Sequence, residues 1–339
     1  FYCCAVYNYP TLLKVDSSLT KLSGIGIAVH GGYGYAYSPV VKDTSGNIWA
    51  LSADTCSNFA LIKSNSTLTS ATIYTPFTVV GGGAGYYNSM VPTSTSSIVL
   101  AGERYYYWWD CCGCYYWYYP VIQSISASTP TTTNWAWEIS TAALSYGFGS
   151  VAVDSSDNVY TNLKNTVFKF ASIGALQWQY TYTGIIDIQS ITFDSSGNVY
   201  CLGISTSNNL VLIKLNSSGT LQYSRTLTPS TGSMYLQPGW FNGCLYISGT
   251  TLYATITYVT PIGAKYALVL KVPTDGSLTQ SVSVGGVGFT YAAGSVTQSA
   301  ASQTLTAKTY AFNSGISMPT YAALPNTASD TNTTAVTVL

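Results

Sequence analysis

FDSSGNVYCLGISTSNNLVLIKLNSSGTLQYSRTL, residues 193–227, reads as strand, turn, strand, turn, strand, and it has two clear relatives in the same chain. These are KDTSGNIWALSADTCSNFALIKSNSTLTSATIY at 42–74 and VDSSDNVYTNLKNTVFKFASIGALQWQYTY at 153–182. Self-similarity at a period of roughly 20 to 50 residues is the mark of stacked supersecondary units. Branched and aromatic residues fill the strand positions, and the DSSGN-type clusters supply turns.

The third strand of the repeat serves as a ruler along the chain. It recurs as TLLKV at Lys14, ALIKS at Lys63, PVIQS at Gln123, VFKFA at Lys169, VLIKL at Lys214 and LVLKV at Lys271, with spacings of 49, 60, 46, 45 and 57 residues. A four-stranded propeller blade takes about 40 to 50 residues. The expected fold is therefore all-β, a β-propeller of about six four-stranded blades, with the excess residues in insertions. The first anchor lies near the start of the chain, so residues 1–24 supply closing strands of a blade. Residues 290–313 resemble an opening half-repeat. The two ends are expected to share one blade and close the ring, which removes exposed sheet edges. This gives a propeller over 1–313 and a polar C-terminal tail over 314–339.

The stretches VAVDSSDNVYTN, ITFDSSGNVYCLGISTS and LIKLNSSGTLQYSRTL resemble the bacterial β-propeller repeat known as the SBBP repeat. The likeness is strong over 150–228 and weak over 76–140. It implies a propeller of secreted and surface proteins, often a module of a larger assembly, with no shared catalytic residues. Related repeats occur in virus particles, so a phage fibre or decoration subunit fits the resemblance.

Composition narrows the function. Twelve basic and twelve acidic side chains give a formal net charge of zero, and charged residues make up 7% of the chain, against about 25% in a typical domain. A surface of neutral hydroxyls and amides has no basic stripe for nucleic acid. No apolar run reaches the roughly 18 to 20 residues of a spanning helix, so membrane insertion is not expected. The chain begins at Phe1 rather than Met and shows no signal peptide, as expected of a processed or trimmed product. Eight cysteines, Cys3, Cys4, Cys56, Cys111, Cys112, Cys114, Cys201 and Cys244, form an even set that suits disulfides in an oxidising compartment, with buried free thiols the alternative. The expected location is extracellular, at a cell surface or in a virion.

The most distinctive stretch interrupts the third repeat. In ERYYYWWDCCGCYYWYYP, Tyr105, Tyr106, Tyr107, Trp108, Trp109, Tyr115, Tyr116, Trp117, Tyr118 and Tyr119 make ten aromatics in fifteen positions. Tyr and Trp give large contact area at small entropic cost and serve both protein interfaces and sugar-stacking platforms. The same residues also suit an extended hairpin with aromatics paired across its strands. A disulfide clamp by Cys111, Cys112 and Cys114 is favoured over zinc, since CCxC lacks paired CxxC spacing and His30 is the sole histidine.

Two repeated features are read as structural. Asp43, Asp154 and Asp194 open the turns, where a carboxylate accepts amide hydrogen bonds; a calcium loop needs more carboxylates than these have. Lys14, Lys63, Lys169, Lys214 and Lys271 recur at one strand position and are expected to contact a turn Asp or blade backbone. A basic ring at a propeller mouth is the functional alternative.

Catalysis is not expected. A propeller glycosidase needs gathered carboxylates, and nothing in the spacing of Glu103, Asp110, Glu138 and Asp187 unites them. His30 suits a strand better than a general base. GGGAG at 81–85 lacks the Lys of a phosphate loop and reads as a flexible connection. No cofactor or metal is implied. Expected partners are other subunits of an assembly, or a surface glycan or receptor, and the readings of function are a structural or partner-binding propeller, then a carbohydrate-binding adhesin, then a glycosidase.

Overall fold

The computed structural model describes residues 11–15, 21–26, 34–54, 59–74, 84–110, 113–139, 147–236, 244–308, 310, 316–317 and 337–338; over strand residues 11–39, 52–60, 84–86, 105–117, 316–317 and 337–338 the description is of the backbone. Every regular element among them is a β-strand. The all-β class expected from the repeat is thus observed. No helix among the described residues is long and apolar enough to cross a membrane. The chain divides into two units, residues 1–148 with 304–329 and residues 149–303 with 330–339.

In the first unit β1 (Thr11–Val15) pairs with β2 (Lys21–Gly26). Two four-stranded antiparallel meanders follow. One is β3 (Gly34–Lys42), β4 (Ile48–Asp54), β5 (Phe59–Ser64) and β6 (Ala71–Tyr74); the other is β7 (Ala84–Pro92), β8 (Ser97–Asp110), β9 (Gly113–Ser126) and β10 (Thr133–Glu138). The second unit repeats the pattern with β11 (Val151–Val153), β12 (Val159–Leu163), β13 (Thr166–Phe170) and β14 (Leu176–Thr183), then with β15 (Asp187–Phe193), β16 (Val199–Ile204), β17 (Leu210–Leu215) and β18 (Leu221–Pro229). Its last sheet is less regular: β19 (Ser233–Tyr235) and β20 (Leu245–Ser248) both pair with β21 (Thr251–Val259), which pairs with β22 (Lys265–Pro273).

The turns explain the meander. In Asp43–Asn47, Asp154–Asn158 and Asp194–Asn198 the N–H of the Asp donates to the Asn carbonyl, and the residue before the Asn donates back to the Asp carbonyl. That residue must take a left-handed conformation: Gly46 and Gly197 do so at φ 86° and 77°, and Asp157 does so at 59°. Hairpins built on a type I turn with a left-handed residue keep the strand twist.

Within each unit the sheets pack face to face. Trp49, Leu51 and Leu61 of one meander meet Tyr87, Met90, Ile98, Leu100, Val121 and Ile125 of the next. In the second unit, Tyr160, Val167 and Tyr182 pack against Ile188, Val199, Val211 and Ile213. The other face of that middle sheet, with Tyr200, Leu202 and Leu212, packs on Leu252, Ile256, Leu268 and Leu270. Strands β12 and β16 are accordingly buried at every position, as expected for strands covered on both faces.

The C-terminal segment adds edge strands to sheets already made. β23 (Gln280–Val284) and β24 (Val287–Ala293) form a hairpin, and β24 pairs with β18. β25 (Thr297–Ala300) pairs with β14, β26 (Thr306–Ala307) with β10, and β27 (Ile316–Ser317) with β6. β28 (Thr337–Val338) pairs in parallel with β22. The described residues of 290–313 therefore pair with β18, β23, β14 and β10, whereas the closure read from the sequence gave them to residues 1–24. The segment 314–339, read as a polar tail, carries β27 and β28.

A buried ion cluster holds the return at β10. Glu138 is fully buried, and its Oε2 accepts from Arg104 Nε at 2.7 Å, from Arg104 Nη2 at 2.6 Å and from the Tyr310 hydroxyl at 2.5 Å. Lys308 Nζ lies 3.3 Å from Oε1. Removing one member of a buried pair strands the other charge, at a cost of about 3 to 5 kcal/mol. Glu138→Ala is predicted to lower unfolding free energy by about that amount in urea titration, and Tyr310→Phe, which loses one bond to a charged acceptor, by about 1 to 3 kcal/mol.

Candidate functional site

The aromatic stretch forms a hairpin that outgrows its sheet. β8 and β9 stay in register from Ser97↔Ser126 to Asp110↔Gly113. Among the described residues the neighbouring ladders stop earlier: β7 pairs as far as Tyr105, and β10 pairs with residues 121–125 of β9. Residues 106–110 and 113–117 thus pair, among the described residues, only with each other, as a two-stranded ribbon about 17 Å long at ~3.4 Å per residue. The register sets Tyr105 opposite Tyr118, Tyr106 opposite Trp117, Tyr107 opposite Tyr116, Trp108 opposite Tyr115 and Trp109 opposite Cys114. A bare two-stranded ribbon is marginal in water, and directly opposed aromatic positions are the arrangement that stabilises one. At its base, Tyr118 and Tyr119 are half-buried and the Arg104 guanidinium lies 5.4 Å from the Tyr119 ring centroid.

The cysteine expectation is partly overturned. Cys201 and Cys244 are free thiols. Cys201 sits in β16 among Val199, Val211 and Ile213 and acts as a small core hydrophobe, its thiol pushed far up by burial. Cys244 is half-buried, with its thiol also raised by burial. Cys114 is described at the backbone, and Cys3, Cys4, Cys56, Cys111 and Cys112 lie outside the described residues. Among the described residues no group of His, Cys, Asp and Glu is arranged to hold a metal.

The recurring Asp and Lys belong to one device. Asp43 Oδ1 accepts from Asn47 N, and its Oδ2 accepts from Asn47 Nδ2 and from Trp49 Nε1 at 2.8 Å. Asp154 does the same with Asn158 and the Tyr160 hydroxyl, and Asp194 with Asn198 and the Tyr200 hydroxyl. Each fixed ring stands opposite the repeated lysine in the ladder: Trp49↔Lys63, Tyr160↔Lys169 and Tyr200↔Lys214. The ammonium lies 5.1, 5.1 and 5.3 Å from the ring centroid, in cation–π range.

Each head then donates to the next sheet of its unit. Lys63 Nζ reaches Ala127 O at 2.6 Å, Lys169 reaches Ser217 O at 3.2 Å, and Lys214 reaches Thr274 O at 3.3 Å. Lys214 is also 4.0 Å from Asp194 Oδ2. Lys271 stands opposite Tyr253 and is exposed; the side chain of Lys14 lies outside the description.

The ladder also corrects one anchor. Val99 occupies the place of Trp49, and its partner is Ser124, with Gln123 one residue off the repeated position. Gln123 is fully buried instead, accepting from the Tyr87 hydroxyl at 2.6 Å and donating to Thr133 Oγ1 and Tyr310 O. Thr93 replaces the turn Asp in this sheet, its Oγ1 accepting from Ser97 N.

The candidate acids have separate fates. Glu138 is held in its ion cluster. Glu103 and Arg104 are neighbours on β8, so they point to opposite faces, and burial pushes the Glu103 carboxyl up to about 7. In the second unit burial pushes Asp187 up to about 6, with Lys164 and the Gln189 side chain pulling the other way. Asp110 is described at the backbone and ends β8. His30 lies outside the described residues, and of GGGAG, Ala84 and Gly85 begin β7 rather than a flexible connection.

A surface that sequence reading missed lies on the last sheet. Along β21 burial alternates, so one face of the sheet is covered and the other open. The ladders line up Tyr246, Tyr253 and Lys271 in one row of the open face, Tyr235, Thr257 and Ala267 in another, and Ser233, Val259 and Lys265 beyond it. Tyr246 is 64% exposed and Tyr235 36%. No sequence signal gathers these residues, because the tyrosines come from three separate strands.

Lys63→Met loses a charged hydrogen bond and is expected to cost about 1 to 3 kcal/mol in urea titration, whereas Lys271→Met at an exposed position should stay within about 0.5 kcal/mol of wild type. Glu103 and Asp187 ionise more readily unfolded, near their ordinary 4.5 and 3.8, than folded. Their stabilisation is whole below those values and is lost as pH rises through about 7 and about 6. For Asp43 and Asp194 burial alone would raise the carboxyl, but the Trp49, Tyr200 and Asn donors outweigh it and hold both low. Their contribution is present above the ordinary 3.8 and is lost as pH falls through the lower folded value. Urea midpoints should therefore peak in mild acid, and Glu103→Gln with Asp187→Asn should remove the decline toward neutral pH.

No family model matches the chain, and no curated protein matches it. Among solved structures, the chain is similar to a protein of unknown function from Bacteroides caccae, determined at 1.35 Å resolution. The two are 9% identical with a TM-score of 0.39, over 78% of this chain and 90% of that one. Nothing is carried over from a likeness of that degree.

Proposed function

We propose that this chain is a non-enzymatic structural or partner-binding subunit of an extracellular or virion assembly, its sheets being the blades of an SBBP-like β-propeller and hairpin β8–β9 its contact element. The observation that carries this reading is the ribbon over 106–117, which pairs with no other described strand and concentrates aromatic positions beyond the edge of its own sheet. Large aromatic segments of that kind are characteristic of interface anchors. The blade reading is supported by successive four-stranded meanders that stack face to face within each unit. Against a glycosidase stands the occupation of Glu138 by Arg104, Lys308 and Tyr310, which leaves that carboxylate committed to structure.

The test is sedimentation of the intact chain beside a variant in which residues 106–117 are replaced by Asn-Gly. Because those residues pair with no described strand outside the hairpin, the β7–β10 sheet should survive, as circular dichroism will report. The intact chain is expected to associate with increasing concentration and the shortened chain to sediment as a monomer. Identical sedimentation of the two would overturn the reading.

A further inference from the structure

We propose that the open face of sheet β19–β22 is a binding site for an acidic polysaccharide. The inference is independent of the hairpin. The face presents Tyr246 and Tyr253 side by side, with ring centroids 6.3 Å apart and planes tilted by 35°. Four residues further along β21, a separation of about 13 Å at ~3.3 Å per residue, Tyr235 stands in register with Thr257. A row of rings on a flat sheet face is a stacking platform for the apolar faces of sugar rings, and each phenol keeps a polar tip for hydroxyls. The hydroxyls of Tyr235, Tyr246 and Tyr253 make no hydrogen bond to a described residue, and Thr255 and Thr257 add further hydroxyls between the rings.

Charge selects the kind of sugar. Lys271 stands opposite Tyr253, and Lys265 Nζ lies 5.7 Å from the Tyr235 ring centroid. Neither lysine forms an ion pair with a described residue, and strands β19 to β22 contain no Asp or Glu. The three clamp lysines are committed to carbonyls of neighbouring sheets. Lys265 and Lys271 instead stand beside rings on the open face, with no ion pair to a described residue, in a chain with few charges of either sign. That pairing of ring and ammonium suits a carboxylated sugar. Two cations do not make the extended phosphate-tracking groove that single-stranded nucleic acid requires.

The probe is polygalacturonate, with dextran and single-stranded DNA as comparisons, measured by calorimetry on the full chain at low and high salt. Polygalacturonate is expected to bind, more weakly as salt rises. Lys265→Gln with Lys271→Gln, and separately Tyr246→Ala, should each weaken binding at least tenfold. Tyr246 and the two lysines are solvent-facing, and unchanged thermal unfolding of the variants will show that the fold is intact. The variant with residues 106–117 replaced should bind polygalacturonate as the intact chain does, which separates this site from the hairpin. The proposal is overturned if the intact chain fails to bind polygalacturonate, if dextran or DNA binds as well or better, or if the lysine variant binds undiminished.

Discussion

The structure depends on a lysine that links one sheet to the next. In each of three sheets an Asp at the turn fixes an aromatic ring, the ring supports a lysine stem, and the lysine head donates to a carbonyl just beyond the third strand of the following sheet. Thr274 O shows how crowded that acceptor can be, taking bonds from Tyr200, Lys214 and Tyr223 together. Face-to-face packing of sheets is greasy and permits sliding. A charged donor aimed at a single carbonyl fixes the offset between consecutive sheets, and the turn Asp holds that donor in place. Hydrophobic burial supplies most of the free energy, while these contacts specify registration.

This device explains the use of so few charges. Burying an ammonium or a carboxylate is costly unless it is paired and hydrogen-bonded. Asp43, Asp154 and Asp194 have their acceptor sites filled by amide, indole and phenol donors. Glu138 is enclosed by Arg104, Lys308 and Tyr310. These acids and bases thus serve as fasteners, and hydroxyl and amide side chains carry much of the remaining polarity.

The sequence made the repeat legible because turn and strand chemistry are local. DSSGN announces a hairpin whatever surrounds it, and Lys63, Lys169 and Lys214 stood out as recurring. Their targets did not, since the accepting carbonyls lie 64, 48 and 60 residues away. VIQS resembles LIKS in hydrophobicity, so the pattern alone aligns Gln123 with the lysines, and the pleat of the strand is what sets it one residue off. Cys201 was grouped with disulfide candidates by counting, although VYCLGI is a strand buried at every position. The edge strands β25 to β28 span two to four residues each, too short for any periodicity to register. The tyrosine face of the last sheet is a product of ladder registration, so it has no linear signature.

The returning C-terminal strands have a consequence for biosynthesis. The outer edges of β18, β14, β10 and β6 are paired by segments that follow them in the chain, with β6 receiving its partner last, at residues 316–317. During translation the earliest meanders therefore wait longest with unsatisfied edges, the state in which β-proteins are most prone to pair with the wrong chain. Premature termination anywhere in the final segment would leave the upstream sheets intact but unsealed. The C-terminal segment behaves as a fastening drawn closed after the body has been built.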